Sequence, residues 1–115
     1  MTGNKKEVLH IEEEIETQFT PQTKKNLEQK WYDIKPVLGV ASGGVYPGIV
    51  PKMLKAMGNN ILIQAGGGVH GHPDGTIAGA KAMRQAIDAV MNKKSLKEYS
   101  KTHEELRRAL ENWGE

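Results

Sequence analysis

Two glycine clusters, Ser42-Gly43-Gly44 and Gln64-Ala65-Gly66-Gly67-Gly68, stand out as residues that could hold an anion. Each follows a short apolar run: Val37-Leu38-Gly39-Val40-Ala41 before the first, Asn60-Ile61-Leu62-Ile63 before the second. A phosphate accepts hydrogen bonds from several converging backbone N–H groups. Side chains obstruct that approach, and the required dihedrals often have positive φ, so glycine suits such loops. Both clusters lead toward segments that read as helices, and a helix N-terminus adds partial positive charge. The same glycines also suffice for tight strand-to-helix turns that bind nothing. Neither cluster is a Walker A loop, because no Gly-Lys-Ser/Thr follows, and neither is a clear GxGxxG dinucleotide fingerprint.

The other reactive side chains point to binding rather than bond-making. Ser42 does not sit in a G-x-S-x-G elbow, so a polar contact to a ligand hydroxyl is its expected role. Gln64 ends an apolar strand, where its amide either points up toward the loops or is satisfied at a sheet edge. His70 and His72 are spaced to share a metal, but no third histidine or carboxylate cluster is near in sequence. Hydrogen bonding within the loop is the expectation for both. Met53, Met57, Met83 and Met91 fall at helical spacing and read as core.

These residues must be placed by a small set of elements. Residues 5–18 read as a helix with Val8, Ile11, Ile15 and Phe19 on one face and Glu12, Glu13, Glu14 and Glu16 mostly solvated. Pro21 ends it. Residues 20–36 are a polar connection whose patch of Leu27, Trp31, Tyr32 and Ile34 is expected to dock onto the body. Residues 37–41 form a first strand, apolar throughout, as expected for a strand covered on both faces. A helix opens at Pro47, where a missing N–H costs nothing, and buries Ile49, Val50, Met53, Leu54 and Met57 before stopping at Gly58-Asn59. Ile61–Ile63 is the second strand. A short helical crossover between two such strands implies a parallel pair with a right-handed connection. Residues 66–75 form the longest loop, and Asp74 or Thr76 caps a helix running to about Asn92. That helix is expected to bury Ile77, Ala80, Met83, Ile87, Val90 and Met91. Lys94-Ser95 reads as a turn with an N-cap, and a last helix over about 101–112 carries Leu106, Leu110 and Trp113 on one face.

The bulk numbers narrow the classes. At 115 residues the chain is one domain at most. A net charge of +2, from 16 basic and 14 acidic side chains, gives no electrostatic case for nucleic acid. Cysteine is absent, which excludes a disulfide framework and a Cys-based zinc site and is compatible with a cytoplasmic location. No apolar run approaches the roughly 18–20 residues that cross a bilayer, and the first residues lack the apolar core of a secretory signal. No membrane partner is expected.

Both loops at this spacing, Val40-Ala41-Ser42-Gly43-Gly44 and Gln64 through Gly75, followed by Ala78-Gly79-Ala80 and Arg84-Gln85-Ala86, resemble the C-terminal end of the ribulose-1,5-bisphosphate carboxylase/oxygenase (RuBisCO) large subunit. The run Gly71-His72-Pro73-Asp74-Gly75 and the ending Tyr99 to Leu106 are similar to its archaeal, form III type. The likeness runs from about Leu27 to Gly114; residues 1–26 resemble the family's sixth barrel helix loosely. The fold implied is α/β, the C-terminal part of a (β/α)8 barrel, with strands 7 and 8 at the two apolar runs. In such barrels the phosphate site recurrently lies in the loops after those strands. By the same likeness Ser42, Gly43, Gly44, Gln64, Ala65, Gly66 and Gly67 are substrate-binding positions. The glycine amides would hold one phosphate of ribulose 1,5-bisphosphate and Ser42 would face a sugar hydroxyl.

The resemblance also implies what these residues do not supply. The family's catalytic lysine follows strand 6, and its carbamylated lysine, with the Asp and Glu that hold magnesium, lies on earlier strands. No residue here is assigned as catalytic, and none as a metal ligand. Tyr46 and Gly39 stand where the family pattern suggests a histidine or other aromatic and a proline. The expectation is a fragment of the carboxylase, inactive alone and weakly phosphate-binding, working with the missing N-terminal part in a family that forms homodimers or larger assemblies. A RuBisCO-like enolase/isomerase fragment and a stand-alone phosphate-binding or interaction module are the alternatives.

Overall fold

The computed structural model describes residues 32–35 and 37–115 of the chain. The expected N-terminal helix, its acidic face, Pro21, Leu27 and Trp31 lie outside the described residues.

The chain reads strand, helix, strand, helix. Strand β1 is Gly39–Ala41 and strand β2 is Ile61–Ile63. They pair in parallel, with Gly39 opposite Ile61, Val40 opposite Leu62 and Ala41 opposite Ile63. Between them run a 3-10 turn, Pro47–Ile49, and helix α1, Val50–Met57. Pro47 opens the turn and Pro51 falls in the first turn of α1, positions that need no N–H donor. α1 buries Val50, Met53 and Leu54, with Ile49 and Met57 packed at the edge. Gly58 ends it at φ +81°, its N–H bonded to the Leu54 carbonyl at 2.9 Å. After β2 come α2 (Gly67–His70), α3 (Thr76–Met91), α4 (Leu96–Tyr99) and α5 (Glu104–Trp113). The core gathers Ala41 and Val45 with Val50, Met53 and Leu54 of α1, Met83, Ala86 and Ala89 of α3, Leu96 and Leu106.

Several expectations are corrected. β1 begins at Gly39, not at residue 37, and Val37 and Leu38 are exposed. The strands are not covered on both faces: Ala41 is 1% exposed, whereas its neighbour Val40 and the paired Leu62 are 50% and 49% exposed. Tyr32 and Ile34 do not dock; both are exposed.

Helix α3 buries only part of the face its large side chains suggest: Met83 is buried and Ile87 and Val90 pack against the core. Gly79, Ala82, Met83, Ala86 and Ala89 face inward, while Ile77 is 77% exposed and Ala80 and Met91 also face out. The reason is close approach. A Cβ on Gly79 would lie 1.9 Å from the Val69 carbonyl oxygen, so α2 rests directly on the backbone of α3. Large side chains on that face would force the two apart.

Neither Asp74 nor Thr76 caps α3. The cap position is Gly75 at φ +89°, with no side-chain bond. Arg108 engages the Asp74 carboxylate through Nε and Nη2, both at 3.3 Å, and Thr76 Oγ1 pairs with His70 Nδ1 at 3.2 Å. Residues 66–75 are not one loop, because Gly67–His70 closes a helical turn. Ser95 caps α4 as expected, its Oγ accepting from the Glu98 N–H at 3.1 Å, and the last helix, α5, starts at Glu104 rather than at about 101. α5 takes its N-terminal cap from outside, the Leu106 N–H donating to Gln85 Oε1 of α3 at 2.9 Å.

Candidate functional site

The glycine clusters meet in space. The parallel register sets the C-terminal ends of β1 and β2 side by side, and the Gln64 N–H donates to the Ala41 carbonyl at 2.9 Å just beyond the strands. The chain then turns away at Ser42-Gly43-Gly44, with Gly43 at φ +81° and Gly44 at φ +66°. Side chains resist both values, so glycine is required for conformation. The second cluster crosses so close that a Cβ on Gly68 would lie 2.0 Å from the Val45 carbonyl oxygen.

A cleft of about 570 Å³ opens between the loops. Ser42, Gly43 and Gly44 line one side and Gln64, Gly66 and Gly67 the other. Ala65, expected at the site, does not line the cleft; it packs against the core. Val45, Tyr46, Gly68 and Trp113 complete the lining. Tyr46 and Trp113 form an aromatic wall, their ring centroids 6.2 Å apart. In sequence Trp113 is legible only as part of an α5 face, and nothing local says that this helix ends at the cleft.

Two features make the cleft suited to an anion. Among the described residues, the N–H groups of Gly43, Gly44, Gly67 and Gly68 have no backbone acceptor. Gly66 and Gly67 are also glycines that folding does not demand by crowding: neither has positive φ, and a Cβ on either would meet nothing within 4 Å. Their missing side chains leave the cleft open instead. Among the described residues no charged side chain lines it, so amides and the neutral Ser42, Gln64, Tyr46 and Trp113 are what they offer a ligand.

The histidines serve the scaffold. His72 is 4% exposed. Its Nδ1 accepts from the Asp74 N–H at 3.0 Å, which places the ring proton on Nε2, and Nε2 donates to the Glu105 carbonyl at 2.9 Å. With both nitrogens engaged, His72 has no lone pair for a metal. Among the described residues no group of three His, Cys, Asp or Glu could hold a metal ion. The magnesium implied by the resemblance therefore finds no donor set in them.

Glu105 anchors α5 to α3. Its carboxyl is held down to about 2, first by Gln85 Nε2 donating at 2.8 Å, then by its own backbone N–H, then by Lys81 Nζ at 3.2 Å. Arg108 is raised above its ordinary value by its hydrogen bonds to Asp74.

The description "Ribulose bisphosphate carboxylase large chain, catalytic domain" belongs to the family model that matches residues 1–113. The chain belongs to that family. It is 52% identical to the ribulose bisphosphate carboxylase of Methanocaldococcus jannaschii over 115 residues, covering 98% of this chain and 27% of the relative. Among solved structures it is similar to a dimeric archaeal Rubisco from Hyperthermus butylicus, with TM-score 0.85 and 49% identity over 95% of this chain and 26% of that one. It is also similar to an octameric Rubisco from Pyrococcus horikoshii, with TM-score 0.80 and 42% identity over 99% of this chain and 25% of that one. The chain thus spans about a quarter of the length of these relatives. Its two β–loop–α units are the C-terminal part of the RuBisCO α/β barrel, of archaeal type. Among the described residues no helix is long and apolar enough to cross a membrane.

Proposed function

We propose that this chain supplies one phosphate-binding half-site, formed by the loops after strands 7 and 8, for carboxylation of ribulose 1,5-bisphosphate. The single observation that carries the reading is the convergence of both glycine clusters on one cleft, with amides at Gly43, Gly44, Gly67 and Gly68 that have no backbone acceptor among the described residues. A phosphate there accepts from these N–H groups, and Gly66 and Gly67 leave its oxygens room to approach. Ser42 Oγ and the Gln64 amide, at the strand ends, face the sugar hydroxyls beyond the phosphate.

The residues of this cleft bind and orient, and none has the chemistry to move a proton or carbon at the sugar. With no cationic side chain among its described residues, the cleft holds phosphate weakly by itself, since charge-assisted partners roughly double a hydrogen bond's strength. Groups on the rest of a barrel, including the magnesium site with its carbamylated lysine, would supply the chemistry. The exposed Val40 and Leu62 side chains fit that reading, because barrel strands are covered on both faces. The half-site is completed by the N-terminal part of the large subunit, within a homodimer or larger assembly and in the cytoplasm.

Titration of the chain with ribulose 1,5-bisphosphate, followed by amide NMR, tests this. Shifts are expected at Gly43, Gly44, Gly67 and Gly68 and not along α4. Unmoved glycine resonances at saturating bisphosphate sink the binding role. Carboxylation of labelled CO2 by the chain alone sinks the assignment as a half-site.

A further inference from the structure

The loops of the cleft touch directly at Gly68 and Val45, and they are also braced from outside the two β–loop–α units. The end of α5 reaches both. On the side of the first loop, Trp113 stands against Tyr46, and the Gly114 carbonyl oxygen lies where a Cβ on Gly48 would be 1.9 Å away. On the side of the second, the Trp113 indole meets the His72 ring edge-on at 6.4 Å between centroids. It also lies 3.3 Å from where a Cβ on Gly71 would sit. His72 is tied to the same helix through the Glu105 carbonyl. Trp113 itself lines the cleft.

We propose that Trp113 is a positioning residue for the anion cleft, setting the separation of the two groups of glycine amides by contacting Tyr46 on one loop and Gly71 and His72 on the other. The inference rests on the phosphate reading above. Gly43 and Gly44 belong to one loop and Gly67 and Gly68 to the other. One phosphate can be bonded by both groups only at a fixed spacing, and amides misplaced by about 1 Å lose most of their effect. The side chain that bridges the loops therefore acts on affinity without bonding the ligand.

The test uses inorganic phosphate as the probe on the full chain, with dissociation constants from amide shifts and melting temperatures from circular dichroism. Three variants separate positioning from stability: Trp113→Ala, Trp113→Phe and Leu106→Val. Leu106 is fully buried at the far end of α5. Trp113→Ala is expected to weaken phosphate binding about tenfold, the size of two lost aromatic contacts. It should also leave shifts at one glycine group while erasing them at the other. Trp113→Phe keeps a ring between Tyr46 and His72 and recovers most of the affinity. Leu106→Val lowers the melting temperature yet leaves phosphate binding within about twofold, as a distant independent site should. Unchanged binding in Trp113→Ala overturns this inference and leaves the half-site reading standing. Equal weakening by Leu106→Val also overturns it, reducing Trp113 to a stability role. Absence of phosphate shifts in the parent chain overturns both.

Discussion

Gly67→Ala and Gly68→Ala are the same substitution at adjacent residues, and they should have opposite effects on stability. Gly67 is the first residue of α2, and a Cβ there meets nothing within 4 Å. Alanine at a compatible position reduces the freedom of the unfolded chain and stabilises by about 0.4–1 kcal/mol. For a domain of this size that raises the melting temperature by roughly 2–5 °C. The free space the methyl enters borders the cleft that Gly67 lines. An anion that accepts from the Gly67 N–H is pushed off, and a hydrogen bond to a charged group is worth about 1.5–3 kcal/mol. Phosphate affinity should therefore fall by about ten- to a hundredfold. At Gly68 the Cβ would lie 2.0 Å from the Val45 oxygen and 2.7 Å from the Tyr46 Cα, both backbone atoms. No rotamer change relieves that overlap, so the loops must part, at a cost of about 1–3 kcal/mol or more. Thermal melts with and without phosphate, on both variants and the parent, read all of these quantities. A Gly67→Ala chain that binds phosphate like the parent refutes the argument that the open glycines exist for the ligand. A Gly68→Ala chain that melts with the parent refutes the close crossing of the loops.

Other expectations concern the scaffold. Glu105 is held near 2, below its ordinary 4.5, so its contribution is complete above about 4.5 and is lost as pH falls toward 2. Melting temperature should drop over that window in the parent, and the drop should shrink in Glu105→Gln. His72→Phe leaves the Asp74 N–H without its acceptor and takes one of the donors from the Glu105 carbonyl; a loss of about 1–3 kcal/mol is expected in denaturant unfolding. Zinc added to the parent should not shift the His72 ring resonances, because both nitrogens are engaged. Arg108→Ala removes an exposed pair with Asp74 and should cost less than about 1 kcal/mol by the same unfolding assay.

Much of the framework is legible in the sequence because its signals are local. Pro47, Gly58 and Ser95 act within a few residues of themselves, and each does in the structure what its chemistry suggests. The inward face of α3 is not legible in that way. Its large apolar residues suggest one stripe, of which Met83, Ile87 and Val90 meet the core, but Ile77 turns out and Gly79 faces inward because α2 crosses it at backbone contact distance. Helix α2 itself, with two glycines in four residues, contradicts helix propensity. It stands on tertiary contacts, Gly68 on Val45 and Gly79 on Val69. Asp74 has the right type to cap α3, and a residue from the far end of the chain, Arg108, takes its carboxylate instead. Of the cleft, the glycines could be read from their positions after apolar runs. The place of Trp113 could not, because it depends on where α5 ends relative to both loops.

The seat of Gly114 against Gly48 has a consequence for synthesis. The ribosome makes the turn at Gly48 long before it makes Gly114, and the helix that closes the aromatic wall emerges last among these elements. Until Trp113 has left the exit tunnel, the first glycine loop waits without its brace. A nascent chain paused after α3 should therefore show strands and helices yet hold an anion more weakly, and the cleft should be completed in a final step that follows translation of α5.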